Sequence, residues 1–201
     1  KVKTMLGIEM QDPTETLVYY NEEMERCAND YACYIMDGLE VIKNYCKDPL
    51  VLIEQKLDFS RYVPEGFGTG DCVIVADKTL YIFDFKYGKG VEVESENNPQ
   101  MMCYAVGALE LFDSLYDIEN VCMIIFQPRI ENISVSNMNV TELYNWAENT
   151  LKPIAKLAYE GKGEFKAGDH CQFCKIKATC RKRAEYNMEL AKYDFEEPAE
   201  L

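Results

Sequence analysis

Apolar positions along the chain change their period several times, and each change predicts an element. Between residues 14 and 46, Leu17, Tyr20, Met24, Cys27, Tyr31, Tyr34, Ile35 and Leu39 recur at three- and four-residue intervals, which predicts a long helix. Pro49 lies just past its end. "LVLIEQKL", 50–57, reads as a strand, and "EGFGTG", 65–70, reads as a glycine-rich loop. "DCVIVADKTLYIFDFK", 71–86, predicts two strands joined by a tight turn at Asp77-Lys78. A polar stretch from Tyr87 to Asn98 leads to a helix with Pro99 near its first turn. "VCMIIFQP", 121–128, is apolar without interruption, the pattern of a strand buried on both faces, and "NISVSN" fits a further short strand. Thr141 is placed to cap a last helix carrying Leu143, Trp146, Ala147, Leu151, Ile154 and Leu157 on one side. Helix, strands, helix, strand and helix in this order predict an α/β domain with a mixed central sheet flanked by helices, followed by a C-terminal cysteine-rich segment.

Composition narrows the class. The 201 residues are 48 % hydrophobic and 12 % aromatic, a globular composition with room for one core. No apolar run approaches the ~18 residues that span a bilayer, and no secretory signal is visible. A cytoplasmic setting is therefore expected, with no membrane partner. The net charge of −14 argues against nucleic-acid binding by bulk electrostatics. It leaves room for phosphates bound locally through metal ions. Nine cysteines in such a chain point to free thiols or metal ligands rather than disulfides. The chain opens with Lys1, and residues upstream of it are expected.

The hairpin concentrates the chemistry. Asp71 is expected to begin one strand and Asp84 to end the next, which brings the two carboxylates to one edge of the sheet. Asp84 and Lys86 share parity, so their side chains leave the same face. Glu54, on the preceding strand, is a candidate third carboxylate. Hard oxygen ligands gathered in this way suit Mg²⁺ or Mn²⁺. A lysine beside such a cation can hold a phosphate oxygen or stabilise developing charge. On the next helix Gln100 and Tyr104 are four apart and share a face, where an amide and a phenol can bond a nucleic-acid backbone or base. Taken singly, Asp-x-Lys is most often a strand end with solvated charges, and a tyrosine on an apolar helix is usually core. The combination is far more specific.

"GTGD" at 68–71, "DFK" at 84–86 and "QMMCY" at 100–104 resemble motifs of the PD-(D/E)xK nuclease superfamily, in its RecB-like branch. That branch includes the nuclease domains of RecB and AddB and the CRISPR-associated RecB-like exonucleases. The wider stretch from "VPEGFGTGD" to "AVGAL" is similar to a phage and prophage family of this branch catalogued only as a domain of unknown function. The similarity runs from about Leu52 to Arg183. It implies a restriction-endonuclease-like core, with Asp71 and Asp84 as metal ligands and Lys86 as the catalytic lysine. Gln100 and Tyr104 would form the DNA-contacting helix motif. Relatives carry a further histidine or acid on an early helix. Here the only histidine is His170, and Glu15, Glu22, Glu23 and Glu25 give no match, so that ligand lies upstream of Lys1, or Glu54 replaces it, or the site is incomplete.

"HCQFCKIKATCRKR" places Cys171, Cys174 and Cys180 as C-x₂-C-x₅-C, close enough in sequence to share one metal ion or cluster. The resemblance implies a 4Fe–4S cluster that staples the domain's ends, with a fourth cysteine elsewhere; zinc, with His170, is the alternative. Cys72, Cys103 and Cys122 read as small buried hydrophobes. Lys175, Lys177, Arg181, Lys182 and Arg183 form the one basic patch, a place for DNA to approach or a solvated helix face. The expected organisation is a single domain over 1–201, with an N-terminal helix at 14–47, a nuclease core at 50–160 and a cluster-binding segment at 161–190. The expected activity is a Mg²⁺- or Mn²⁺-dependent deoxyribonuclease, an exonuclease by preference, in phage or prophage DNA replication, recombination or processing. A phage single-strand-binding or replication protein is a candidate partner. The competing expectations are an inactive DNA-binding or scaffold module and a zinc-stabilised interaction domain.

Overall fold

The computed structural model describes residues 1–9, 18–112 and 114–195. The chain divides into two compact units, Lys1–Lys156 and Leu157–Leu201.

The first unit is built on a five-stranded mixed sheet in sequence order, β1 (Leu50–Asp58), β2 (Phe67–Ala76), β3 (Thr79–Phe85), β4 (Asn120–Gln127) and β5 (Asn132–Asn139). All neighbours are antiparallel except β3 and β4, which are parallel. That parallel pairing follows from the crossover through α3 (Pro99–Phe112), since parallel strands need a connection of a dozen or more residues.

Two helices preceding the sheet are α1 (Val2–Met5) and α2 (Glu22–Lys43). The helix expected from residue 14 begins at Glu22, while residues 14–17 lie outside the described ones. Asn21 sets the start: its side chain accepts a 2.8 Å hydrogen bond from the Met24 amide, and Glu22, Glu23 and Glu25 fill the first turn, where the helix dipole favours negative charge. The inward face of α2, with Tyr31, Ala32, Ile35, Leu39 and Ile42, packs with Cys72, Ile74, Phe83, Ile124 and Phe126 of the sheet. The opposite face, with Val73, Val75, Leu80, Ile82, Met123 and Ile125, packs on Met101, Ala105, Val106, Ala108 and Leu109 of α3. β4 is buried along nearly its whole length, as its uninterrupted apolar run predicts.

Three local expectations need correction. The glycine-rich "loop" is strand from Phe67 onward, so Asp71 sits inside β2 rather than at its start. The cap of the helix after β5 is Asn139, not Thr141: the Asn139 side chain accepts from the Thr141 amide at 2.8 Å. That helix runs as α4 (Val140–Trp146), a π turn (Ala147–Leu151) and α5 (Lys152–Tyr159). Leu143 and Ala147 enter the core, but the π turn rotates the stripe. Ile154 and Leu157 stay 60 % and 47 % exposed.

The second unit takes in the end of α5, a 3₁₀ turn (Asp169–Phe173) and α6 (Arg181–Tyr193). No residue of α6 is buried. No helix among the described residues is long and apolar enough to cross a membrane.

Candidate functional site

The β2–β3 ladder runs from Ala76–Thr79 only as far as Cys72–Phe83. Beyond it β2 stays paired with β1 down to Phe67–Asp58, while β3 stays paired with β4 up to Phe85–Phe126. The sheet therefore forks, and Asp71 and Asp84 stand where it opens. The fork leaves the Phe85 amide without a β2 partner, and the Asp71 carboxylate fills that role, accepting from it at 2.7 Å.

Asp84 is buried at the same point. Its Oδ1 accepts from Gln100 Nε2 at 3.1 Å. Lys86 Nζ lies 2.8 Å from its Oδ2, but at an angle outside that of a hydrogen bond. Oδ2 is thus a buried oxygen with an ionic neighbour and no hydrogen bond among the described residues. Lys86 Nζ instead donates to Gln100 Oε1 at 3.0 Å. Gln100 also donates to Tyr104 Oη at 3.0 Å. Four residues expected from the sequence thus form one network: Asp84 and Lys86 from β3 and its exit, Gln100 and Tyr104 from the first turns of α3. Gln100 and Tyr104 were expected to address nucleic acid; here the Gln100 amide addresses the acid and the lysine, and the Tyr104 hydroxyl accepts from Gln100.

Asp71 joins electrostatically. Burial pushes its carboxyl above the ordinary range; the Phe85 amide and Lys86 oppose this, while Asp84 and Glu54 add to it. Glu54 itself lies apart. It sits in left-handed backbone at φ 57°, and its exposed carboxylate is paired with Lys3 of α1. It contributes charge near the pair, and its side chain is engaged elsewhere.

Sequence reasoning missed why the glycines are there. A Cβ on Gly68 would lie 2.4 Å from the Tyr104 ring, and one on Gly70 would lie 3.0 Å from Leu57. The "GTG" stretch is a strand stripped of side chains so that α3 can bring Tyr104 down beside Gln100. A glycine triplet signals turns most often, so only the helix's approach reveals this use.

The polar stretch after Lys86 is held firmly. The buried Gln127 side chain accepts from the Val93 amide at 2.8 Å and donates to the Val91 carbonyl at 3.0 Å. Asn132 donates to the Val93 carbonyl, and the Ser134 hydroxyl accepts from the Ser95 amide. Arg129 bonds Glu23 at 3.0 Å and the Tyr87 carbonyl at 3.3 Å, and lies 4.4 Å over the Tyr87 ring.

In the second unit the three cysteines are each partly exposed. A cavity of about 270 Å³ opens beside Cys171, lined also by Asp169, Gln172, Arg183 and Tyr186. The basic patch is partly neutralised, as Arg181 and Lys182 both pair with Glu185, at 2.9 and 3.1 Å. His170 Nε2 lies 2.9 Å from the Lys166 carbonyl oxygen. Burial pushes the Cys72 thiol up to about 12 and those of Cys103 and Cys122 up to about 11; Cys72 and Cys122 are buried as expected, while Cys103 is only partly buried.

Among the described residues no three His, Cys, Asp or Glu side chains are gathered closely enough to hold a metal ion. For Mg²⁺ or Mn²⁺ the donor set at the fork still fits, since such ions are commonly held by one or two carboxylates with water completing the shell. The buried Asp84 oxygen without a hydrogen bond is the kind of atom such an ion satisfies. For a cluster, thiolates are suitable ligands, but the three thiols are not gathered into a ligand set among the described residues.

Fold and site together define a class: a mixed α/β domain with an acid–lysine–glutamine–tyrosine network at a fork in its sheet. The chain belongs to the family DUF2800, described as a protein of unknown function, whose model matches residues 1–201. A solved structure titled "Crystal structure of SSO0001" is similar at 14 % identity, over 90 % of this chain and 93 % of that one, with a TM-score of 0.37.

Proposed function

We propose that the chain is a metal-dependent deoxyribonuclease of the RecB-like PD-(D/E)xK kind, with a restriction-endonuclease-like core. The single observation that supports this most is the network at the fork. Asp84, Lys86 and Gln100 are mutually within 3.1 Å, with Asp71 on the facing strand. A plain strand-end salt bridge needs neither the glutamine nor a buried oxygen left unbonded.

On this reading Asp71 and Asp84 would hold Mg²⁺ or Mn²⁺, and the bound ion would supply a more acidic water and charge neutralisation at a phosphate. Lys86 carries a positive charge at the lip of the site, where it steadies the phosphate oxygens as charge develops. Gln100 holds that ammonium in place through Oε1 and the Asp84 carboxylate through Nε2, so one amide fixes both. Tyr104 fixes the amide in turn. A DNA strand is favoured over a free nucleotide by family analogy alone. With a net charge of −14, cations at the site must do what a basic surface does elsewhere. As a second part of the proposal, Cys171, Cys174 and Cys180 would be ligands of a 4Fe–4S cluster or zinc, a reading supported by their C-x₂-C-x₅-C spacing.

The test is cleavage of end-labelled linear and closed circular DNA in Mn²⁺ or EDTA, by the wild type and Lys86→Ala. Metal-dependent loss of the linear substrate, reduced at least ~10³-fold in the variant, is expected. Equal cutting of circles would make the enzyme an endonuclease. No cutting by metal-loaded protein would move the reading to an inactive DNA-binding or scaffold module.

A further inference from the structure

The phenol of Tyr31, packed on Phe85, is a buried polar group that the site as described leaves without a role. It lies on the inward face of α2, 8 % exposed, and its hydroxyl has no hydrogen-bond partner among the described residues. The ring is fixed by Phe85 and Phe126, at centroid separations of 5.0 and 5.6 Å. Both partners belong to the sheet face opposite the one that carries Asp84 and α3. In an unbroken ladder, backbone hydrogen bonds would separate the two faces. Here the ladder stops at Cys72–Phe83, and the Asp71 carboxylate itself lies in the opening, bonded to the Phe85 amide. The phenol feels both carboxylates: burial raises its pKa far above the ordinary 10, and Cys72, Asp71 and Asp84 add to the shift in that order.

We propose that Tyr31 is a positioning residue for the Asp71–Asp84 pair, its hydroxyl donating through the fork, from the far side of the sheet, to a water that the carboxylates hold. The catalytic consequence rests on the nuclease reading; the contact itself does not. Asp84 Oδ2 and Tyr31 Oη are complementary: one is a buried acceptor without a hydrogen bond, the other a buried donor without an acceptor. A phenol adds no negative charge to a site that already holds Asp71 and Asp84 with Glu54 nearby, as a further carboxylate would.

The test uses the full chain with tyrosines labelled at ¹³Cζ, and Tyr31→Phe, which keeps the ring contacts and removes only the hydroxyl. In metal-free protein the Tyr31 ¹³Cζ signal, assigned by its loss in Tyr31→Phe, is expected to shift in Asp84→Asn or Asp71→Asn. In Mn²⁺ titrations Tyr31→Phe is expected to bind about tenfold more weakly, with unchanged melting in EDTA and a lower kcat at unchanged KM. A Tyr31 signal indifferent to both Asp variants, with unaltered Mn²⁺ affinity in Tyr31→Phe, overturns the proposal and leaves the nuclease reading standing. A wild type that binds no Mn²⁺ while the Tyr31 signal still responds removes the nuclease reading and keeps the contact. No Mn²⁺ binding and no response removes both.

Discussion

The fork and the cysteine segment carry the two chemical signatures of this chain, and they are assembled by different means. Asp84, Lys86, Gln100 and Tyr104 come from β3, its exit and α3, yet strand ladders and α3 packing bring them into one network, with Asp71 of β2 at the same opening. Cys171, Cys174 and Cys180 fall within ten residues of sequence, yet they sit on turns and at a helix cap, with no buried residue on α6 to hold them. Closeness in sequence is the weaker organiser. A sheet fixes its ligands before the ligand arrives, whereas a turn-rich segment is commonly ordered by the metal itself.

The largest expected effect tests the second half of that contrast. Cys174→Ser should abolish the iron or zinc that anaerobically purified wild type carries, and with it metal-coupled folding energy on the order of 10 kcal/mol. Metal analysis and melting curves with and without chelator measure both. Metal-free wild type with an unaltered melting curve would reduce the cysteines to solvated thiols.

A smaller effect tests preorganisation at the fork. Gly68→Ala sets a methyl against the Tyr104 ring at 2.4 Å. It should destabilise the chain by about 1–3 kcal/mol in urea unfolding and lower the affinity for Mn²⁺ by loosening Gln100. Gly88→Ala, with open space around its Cβ, is the control.

The smallest effect has the opposite sign. The Asp71 carboxyl is raised above its ordinary 3.8, so the folded state binds its proton more tightly than the unfolded chain does. Its contribution is therefore most favourable below pH 3.8 and is lost as pH rises through the folded value. Asp71→Asn, which keeps an oxygen for the Phe85 amide, should melt slightly higher than wild type at pH 7 in EDTA. The difference should close as the pH falls below the ordinary value. A variant that melts lower at pH 7 would mean that the Phe85 hydrogen bond outweighs the buried charge.

Much of this contrast was legible beforehand, in a particular way. The hairpin turn, the strand at β4 and the helix after Pro99 follow from period and from proline, and they fall where expected. The start of α2 was missed because apolar periodicity runs past the Asn21 cap, which is the stronger local signal. The glycines of β2 were read as a loop because their purpose, room for Tyr104, is set by a helix thirty residues on. Ile154 and Leu157 were placed inward because a single π turn shifts a helical stripe without leaving a mark in composition. Asp71, Asp84, Lys86 and Gln100 could be named from motif and parity. Tyr31 could not, since its access depends on where the ladder ends.

The bracket of Gln127, Asn132 and Ser134 bears on how this chain can be cut and rejoined. Val91 to Ser95 carries two glutamates and lies between elements, the usual profile for a new terminus or an inserted tag, yet its backbone is tied to the buried ends of β4 and β5. The exposed Gly88-Lys89-Gly90 tip just before it lacks those ties to Gln127 and its neighbours. A sensor or circular permutant should therefore be opened at the tip, three residues short of where hydropathy alone would put the break.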